Sequence, residues 1–388
     1  MRIDAVELRL LSLHLHTPHR TSEGEEVDRP VVVVRVLGED AEGWGECAAL
    51  AGLSYSEEFA RGAYEVLRDF LVPALLGAQG MRRPGESERP GAAGWALDAV
   101  RGHHMAKAAL RMAVVDAELR GHGRSLADRL GVTVAAVPAG GVVGMAATPE
   151  ELVARVEELV AVGYRRVKVK IAPGHDVGPL RAVRRRFPDL PLQADANGAY
   201  TMQGSATAVP PALRALDELG LVCLEQPLPA DDLVGHADLA RALSTPVCLD
   251  ESITSVGRLD TALALGACKV VCVKPALLAG LDQAVAAHDR CRELGADAWV
   301  GGMLETGLAR SANATLAGLP GFTLVGDIGG GRRFDEDDPF GIVELEEGAV
   351  PLHRGPGVGP APDSALLDAV TTRFDLVGRD GGDGPRGR

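Results

Sequence analysis

The stretch RVKVKIAPG (residues 166–174) places two lysines inside an apolar run, and the fold class follows from this run and from others like it. Lys168 and Lys170 are two residues apart, so in a β-strand both side chains point to the same face. The valines and isoleucine around them are typical of a buried strand. Because burying a cation is costly unless an opposite charge compensates it, the stretch predicts a buried strand with compensating groups nearby.

Similar apolar runs recur along the chain from residue 138 onward. Eight of them lie roughly 25 residues apart, which is the length of a βα unit. Amphipathic stretches such as PEELVARVEELVAVG (149–163) fill the intervals as helices. A TIM-type (β/α) barrel explains this spacing, whereas a doubly wound sheet rarely needs eight units of such even length. The runs are AGGVVGM (139–145), RVKVKI (166–171), PLQADAN (191–197), LVCLEQP (221–227), PVCLDES (246–252), KVVCVKP (269–275), DAWVGGM (297–303) and FTLVGDI (322–328).

The residues before the barrel have the pattern of an α+β domain, in which strands are followed by helices. Helical spacing of apolar residues covers 56–75 and 92–131, and the intervening 77–94 is rich in Gly, Pro and charge, as in a loop. A polar connection, 20–29, separates the first two of three predicted strands. These strands are AVELRLLSLHL (5–15), RPVVVVRVLGED (29–40) and GWGECAAL (43–50).

The C-terminal part carries weaker patterns. FGIVELEEG (340–348) has strand-like residues, and 378–388 is rich in Gly and charge with little to pack, so we expect it to be disordered.

Composition narrows the functional class. The 388 residues are 46% hydrophobic and 24% charged, as in an ordinary globular protein. A net charge of −14 argues against nucleic acid as a partner. Six cysteines without a CxxC pair are expected to be buried, reduced thiols. Without a signal-peptide pattern or a membrane-spanning run, we expect a cytoplasmic protein.

Three successive predicted strands each end in a carboxylate, and in a barrel the chemistry lies at these ends. They are Asp195 in ADANG, Glu225 in CLEQP and Asp250 in CLDES. A single aspartate there is more often a helix cap, but three converging carboxylates would raise one another's pKa. A divalent cation removes that repulsion, and all-oxygen ligands favour Mg²⁺, with Mn²⁺ as the alternative.

Lysines flank this row of carboxylates. Lys274 in CVKPA ends the sixth predicted strand, across the barrel mouth from Lys170 on the second. A lone lysine is more often a solvated strand end, but a lysine between cations and carboxylates can act as a general base near neutral pH. We expect Lys168 to supply part of the repulsion that lowers the pKa of Lys170.

These motifs together resemble the enolase superfamily, in its muconate-lactonizing branch. The stretch GGMLETGLARSANATLAGLPGFTLVGDI (301–328) resembles the group of o-succinylbenzoate synthases and N-acylamino acid (N-succinylamino acid) racemases. The resemblance implies a (β/α)7β TIM-type barrel with an α+β capping domain made from both chain ends. The implied parts are a capping domain over 1–131, a barrel over 138–328 and a segment over 329–377 that returns to the cap.

The resemblance also implies roles for the strand-end residues. Asp195, Glu225 and Asp250 would be the Mg²⁺ ligands, and Lys170 and Lys274 the acid/base pair, with Lys168 in support. Cap loops near 17–30 and 50–57 would close over the substrate. The expected substrate contacts are Asn197, Glu305, Ser22, Tyr55, Gly301, Gly302 and Met303.

The implied activity is removal of a proton α to a carboxylate of a small molecule, through an enolate. Loss of water then gives o-succinylbenzoate in menaquinone biosynthesis, whereas return of the proton on the other face gives racemisation. A muconate-type cycloisomerase and a dipeptide epimerase are alternatives, as is a non-catalytic barrel with a structural metal. We expect a homo-oligomer.

Three positions depart from the pattern of this group and leave the substrate open. KPALLAG has Leu277 where the racemases carry arginine, and RTSEG has Glu23 in place of phenylalanine. GDIGGGRRF has glycines in place of a serine-containing turn.

Overall fold

A computed structural model describes residues 1–78, 96–202 and 209–379 of the chain. Most of the predicted loop 77–94 and of the predicted disordered tail 378–388 lies outside the described residues.

The three predicted N-terminal strands are present, and they pair as an antiparallel sheet: β1 (Ile3–Thr21), β2 (Gly24–Gly38) and β3 (Glu42–Cys47). The polar connection is shorter than predicted, because pairing continues to Thr21 opposite Gly24 and leaves Ser22 and Glu23 at the hairpin tip. The four valines 31–34 are buried because β2 has an apolar cluster on each face.

Helices cover one face of this sheet within the predicted regions. They are α1 (Ala60–Val66), which continues through a π-helical turn (Leu67–Leu71) into α2 (Val72–Gly77), then α3 (His104–Gly121) and α4 (Leu126–Leu130). β3 packs directly on α3, and a Cβ placed at Gly45 would lie 2.0 Å from the Ala109 carbonyl oxygen. Only glycine permits this close approach.

Seven parallel strands of the described residues form the barrel wall in sequence order, so the predicted barrel is confirmed. A short strand β4 (Ala136–Pro138) precedes them. The seven are β5 (Gly140–Val143), β6 (Arg166–Lys170), β7 (Leu192–Asp195), β8 (Leu224–Glu225), β9 (Val247–Leu249), β10 (Val270–Val273) and β11 (Asp297–Val300). The intervening helices are α5 (Pro149–Ala161), α6 (Val177–Arg186), α7 (Pro211–Leu216), α8 (Leu233–Ala242), α9 (Val256–Leu265), α10 (Leu281–Leu294) and α11 (Gly307–Ala317).

The prediction of a regular eighth strand over 322–328 is wrong. The segment does lie beside β11, since the Thr323 and Asp327 amides donate to the Ala298 and Val300 carbonyls at 3.0 Å. On its other side the Val325 carbonyl accepts from the Arg166 guanidinium at 2.8 and 3.1 Å, in place of a backbone ladder to β5. The segment thus closes the barrel through a side chain.

The C-terminal part returns to both earlier sheets. β12 (Ala349–Pro351) pairs antiparallel with β4, and after α12 (Ser364–Val370) the strand β13 (Thr371–Gly378) pairs antiparallel with β1. The strand-like residues 340–348 form no regular strand; the stretch is irregular and ends just before β12. The antiparallel sheet with its helices is the cap of the barrel.

All six cysteines are buried and none is in a disulfide, as predicted. Across 1–78, 96–202 and 209–379, no helix has both the length and the apolar character needed to cross a membrane.

Candidate active site

Lys168 lies inside the barrel with its charge compensated by three carboxylates. Its Nζ is 2.6 Å from Asp327 Oδ2, 2.9 Å from Glu225 Oε2 and 3.1 Å from Asp195 Oδ2. Burial disfavours the ammonium, but the attraction of Asp327, Glu225 and Asp195 outweighs it and raises the pKa of Lys168 well above its usual value. These carboxylates are the compensation that the β6 pattern requires.

Lys170 points from the same strand toward the barrel mouth. Its Nζ donates to Asp195 Oδ2 at 2.7 Å and to Asn197 Oδ1 at 2.8 Å. Asn197 adopts a left-handed backbone conformation (φ 45°) just after β7, and its Nδ2 donates to Glu251 Oε1 at 2.7 Å. The amide therefore connects Lys170 with the end of β9.

Lys274 follows β10 and is held by both the barrel and the cap. Its Nζ donates to Asp250 Oδ2 at 2.6 Å and to the Tyr55 hydroxyl oxygen at 2.8 Å. Burial opposes its charge, but Asp250 and the other acidic groups around it raise the pKa of Lys274 well above its usual value. A cap loop thus completes the surroundings of a barrel lysine.

The three predicted metal ligands, Asp195, Glu225 and Asp250, are each at most 1% exposed. Asp195 lies between two lysines, whose charges outweigh burial and lower its pKa. Burial, reinforced by the charge of Asp195, raises the pKa of Glu225 well above its usual value. Of the three carboxylates, Glu225 is therefore the one whose negative charge is least favoured by its surroundings.

Asp250 Oδ1 and Glu251 Oε2 are buried carboxylate oxygens that make no hydrogen bond within the described residues. Ligand atoms of Glu225, Asp250 and Cys272 lie within 4.8 Å of one another. The free, buried oxygens and the predominance of carboxylates fit a hard divalent cation. The group includes the Cys272 thiol, whereas Asp195 is occupied by its lysines.

A cavity of about 760 Å³ opens above these residues, between barrel and cap. Of the predicted substrate contacts, Tyr55, Asn197, Gly302 and Met303 line it together with all three lysines. The other three lie outside the lining. Ser22 Oγ donates to the Ala196 carbonyl at 2.9 Å, Glu305 accepts from the Met303 amide at 2.6 Å, and a Cβ at Gly301 would lie 2.3 Å from Cys272 Sγ.

The three departures from the family pattern also have defined places. Glu23, at the hairpin tip, lines the cavity, and burial raises its pKa to about 7. Arg20 pairs with Glu25 at 3.0 Å and not with Glu23. Leu277 is 6% exposed and packs into the apolar cluster of the cap. The glycines 329–331 line the cavity.

Several residues without a predicted role complete the site. Gln193 Nε2 donates to Glu225 Oε2 at 2.5 Å, and Gln226 Oε1 accepts from the Asp250 amide at 3.0 Å. Asp327 lies 2.8 Å from Arg166, which closes the barrel. Alternation alone could have found Gln193 and Cys272, because each is two residues before a site residue, Asp195 and Lys274 respectively.

A parallel barrel whose strand ends gather carboxylates and lysines beneath an antiparallel cap is the architecture of the enolase class of enzymes. A family model described as "Enolase C-terminal domain-like" matches residues 151–366, and one described as "Mandelate racemase / muconate lactonizing enzyme, N-terminal domain" matches residues 5–131. The chain belongs to the mandelate racemase / muconate lactonizing enzyme family of the enolase superfamily.

Known relatives match almost end to end. An N-succinylamino acid racemase of an Amycolatopsis species is 46% identical over 379 residues, covering 97% of this chain and 100% of the relative. An o-succinylbenzoate synthase of Bacillus subtilis is 37% identical over 383 residues, covering 98% and 100%. A solved structure from Alicyclobacillus acidocaldarius, described as a probable mandelate racemase, has a TM-score of 0.90 and 36% identity, covering 99% and 100%.

Proposed function

We propose that this enzyme removes the proton α to a carboxylate of a small molecule, with Lys170 and Lys274 as the acid/base pair. The observation that carries the proposal is that these lysines come from β6 and from the end of β10 and line one cavity, with the carboxylates of β7, β8 and β9 between their strands. A substrate held over the carboxylates would present one face to each lysine.

Asp195, Glu225 and Asp250 would hold Mg²⁺, with Mn²⁺ as the alternative. When bound, the cation supplies stabilisation of the negative charge that develops on the substrate carboxylate. The free oxygen of Asp250 supports this assignment. Glu251, held by Asn197, adds negative charge beside the ligands.

The protein's own groups handle the proton. The lysine on one face takes it from the α-carbon, and the lysine on the other face remains charged beside the developing enolate. Tyr55 fixes the direction of the Lys274 ammonium, and Asn197 fixes that of Lys170. The cap covers the cavity and limits access of water to the enolate.

The specific reaction we propose is the syn dehydration that forms o-succinylbenzoate, a step of menaquinone biosynthesis. Racemisation of N-succinylamino acids is the second candidate, favoured by two facing lysines and by the 46% identical racemase. Both begin with the same proton abstraction. The buried Leu277, where the group's racemases have arginine, supports placing the synthase first. Muconate-type cycloisomerisation and dipeptide epimerisation rank below both.

The test is turnover of 2-succinyl-6-hydroxy-2,4-cyclohexadiene-1-carboxylate, followed by ultraviolet absorbance with Mg²⁺ and with EDTA. Rapid loss of the substrate signal that depends on Mg²⁺ is expected. Lys170→Ala should remove turnover while Mg²⁺ binding persists. No turnover, together with α-proton exchange of N-succinylamino acids in D₂O by ¹H NMR, would place racemisation first; failure of both reactions would overturn the proposal.

We also propose a cytoplasmic homo-oligomer, the default for enzymes of this kind. Analytical ultracentrifugation of the purified chain tests the assembly, and a monomer at micromolar concentration would contradict it.

A further inference from the structure

Two arginines at one end of the active-site cavity form no ion pair with a carboxylate of the described residues. Arg310 on α11 and Arg333 after the closing segment both line the cavity that contains Lys170 and Lys274. In residues 1–78, 96–202 and 209–379, no carboxylate lies within 4.0 Å of either guanidinium. Because no ion pair neutralises these two cations, this end of the cavity favours an anion.

Arg310 is 7% exposed, and its Nε makes no hydrogen bond within the described residues. Its two Nη groups donate to the carbonyls of Gly329 and Gly331 and so fix the glycine segment that lines the cavity. Burial and the nearby charge of Arg333 lower the pKa of Arg310 to about 10. Arg310 therefore holds the wall beside Arg333.

The acidic groups around this pair are occupied elsewhere. Glu305 accepts from the Met303 amide and from Asn313, and Asp338 accepts from the Gly307 and Phe340 amides. Glu23 and Glu26 line the cavity from the β1–β2 hairpin and form no ion pair with Arg333. The positive charge of Arg333 consequently faces the cavity.

Met303 places Arg333 close to the reacting centre. Its carbonyl oxygen accepts from Arg333 Nη1 at 2.9 Å, and its Sδ lies 3.7 Å from Lys274 Nζ. The two cations are thus separated by a single residue. A substrate whose α-carbon faces Lys274 needs only a short chain to reach Arg333.

We propose that Arg333 binds a second, distal carboxylate of the substrate, and that Arg310 positions the wall on which this subsite is built. The proposal rests on the proposed function and assigns the residue that would recognise the second carboxylate of its succinyl substrates. Both candidate reactions satisfy it, because the cyclohexadiene substrate and N-succinylamino acids share a succinyl chain. A guanidinium binds such a group through two parallel hydrogen bonds.

The test compares N-succinyl-L-phenylalanine with N-acetyl-L-phenylalanine, which lacks only the distal carboxymethyl group. For Arg333→Gln we expect KM for the succinyl compound to rise roughly 10- to 100-fold, the cost of a charge-assisted hydrogen bond. KM for the acetyl compound and both kcat values should stay within about two- to threefold, since interactions of equal strength in ground and transition states change KM alone. Glutamine keeps a neutral N–H donor but is two bonds shorter than arginine, so the acetyl compound also reports any loss of the hydrogen bond to the Met303 carbonyl.

Two further variants separate charge recognition from structural damage. Arg333→Lys should restore part of the succinyl preference. Arg332→Gln removes a neighbouring charge that lies 3.7 Å from Asp337 and should leave the preference unchanged. An equal loss for both compounds in Arg333→Gln, or no loss, would overturn the proposal.

Calorimetric binding of the same two compounds to the Mg²⁺-loaded enzyme keeps the subsite separate from the reaction. If the wild type turns over neither compound, the proposed racemisation fails. The subsite still stands if the wild type binds the succinyl compound more tightly and Arg333→Gln does not, and it falls if the wild type shows no such preference.

Discussion

The ammonium of Lys274 donates to the hydroxyl of Tyr55 across the boundary between barrel and cap. The two atoms are 2.8 Å apart, and Nζ lies 4.9 Å from the centroid of the tyrosine ring. Tyr55 comes from the loop before α1, whereas Lys274 follows β10. The cap therefore fixes a side chain of the proposed acid/base pair as well as covering it.

Tyr55→Phe should slow turnover without unfolding the enzyme. Loss of one neutral hydrogen-bond acceptor leaves Lys274 less well directed, and we expect kcat to fall roughly 5- to 20-fold, equivalent to about 1–2 kcal/mol. Steady-state kinetics measures this. Tyr200→Phe is the control, because its hydroxyl donates to Asp176 and the residue lies outside the cavity lining; a similar fall in its kcat would contradict the assignment.

Removing either lysine should leave an enzyme that can exchange the α-proton on only one face of the substrate. In Lys170→Ala and Lys274→Ala, racemisation should fall by about 10²- to 10⁴-fold, the typical contribution of a positioned base. Each variant should still exchange the α-proton of one enantiomer in D₂O, and the two variants should retain opposite enantiomers. ¹H NMR of separate D and L substrates measures this.

Lys269→Ala is the matched control for the lysine variants, because Lys269 is exposed and immediately precedes β10, the strand that Lys274 follows. It should exchange both enantiomers like the wild type. If both active-site variants retained exchange of the same enantiomer, the two-lysine arrangement would be wrong.

Asp250→Asn should weaken Mg²⁺ binding by at least about tenfold, since an amide is a poorer ligand for a hard cation. Titration calorimetry measures the affinity directly, without reference to turnover. Asp217→Asn serves as the control, because Asp217 accepts from the Ser244 and Thr245 amides and not from groups in the site. Unchanged affinity in Asp250→Asn would remove Asp250 from the proposed ligands.

Glu46 should make the stability of the enzyme depend on pH. This buried cap residue accepts from the amide and hydroxyl of Thr306, and burial raises its pKa from 4.5 to about 7. The folded state then holds a proton that the unfolded state has lost between these values. Stability should therefore fall as pH rises from 4.5 to 7 and level off above pH 7, by about 3 kcal/mol in total.

The measurement is the difference in unfolding free energy between wild type and Glu46→Gln from pH 4.5 to 8, with EDTA present in all samples. Glutamine cannot ionise, so the variant should gain stability relative to the wild type as pH rises. A constant difference across this range would show that Glu46 does not titrate there.

The barrel could be predicted from sequence because parallel strands buried on both faces repeat as apolar runs at even spacing. The irregular structure of residues 322–328 could not be predicted, because FTLVGDI has the composition of a strand. In the structure the Arg166 guanidinium binds the Val325 carbonyl on the side where a regular strand would pair with β5. A side chain 159 residues away in sequence is not visible in a local pattern.

The site was predictable to the extent that strand ends meet at one level. Lys168 was expected to act by repelling Lys170, and that role stays a prediction; its position between three carboxylates depends on Asp327, whose approach follows from how the barrel closes. The contact of Gln226 with the Asp250 amide could not be predicted either. Gln226 has a left-handed backbone conformation (φ 36°), which no residue pattern indicates.

Because β13 pairs with β1, the cap sheet is completed late during translation. The barrel strands β5–β11 are all synthesised before residue 301, whereas the sheet that carries the Ser22–Glu23 tip gains its outer strand only when residues 371–378 emerge. During translation the barrel can therefore assemble before the cap sheet is complete. The proposed metal ligands Asp195, Glu225 and Asp250 are thus synthesised well before the strand that completes the sheet above the cavity.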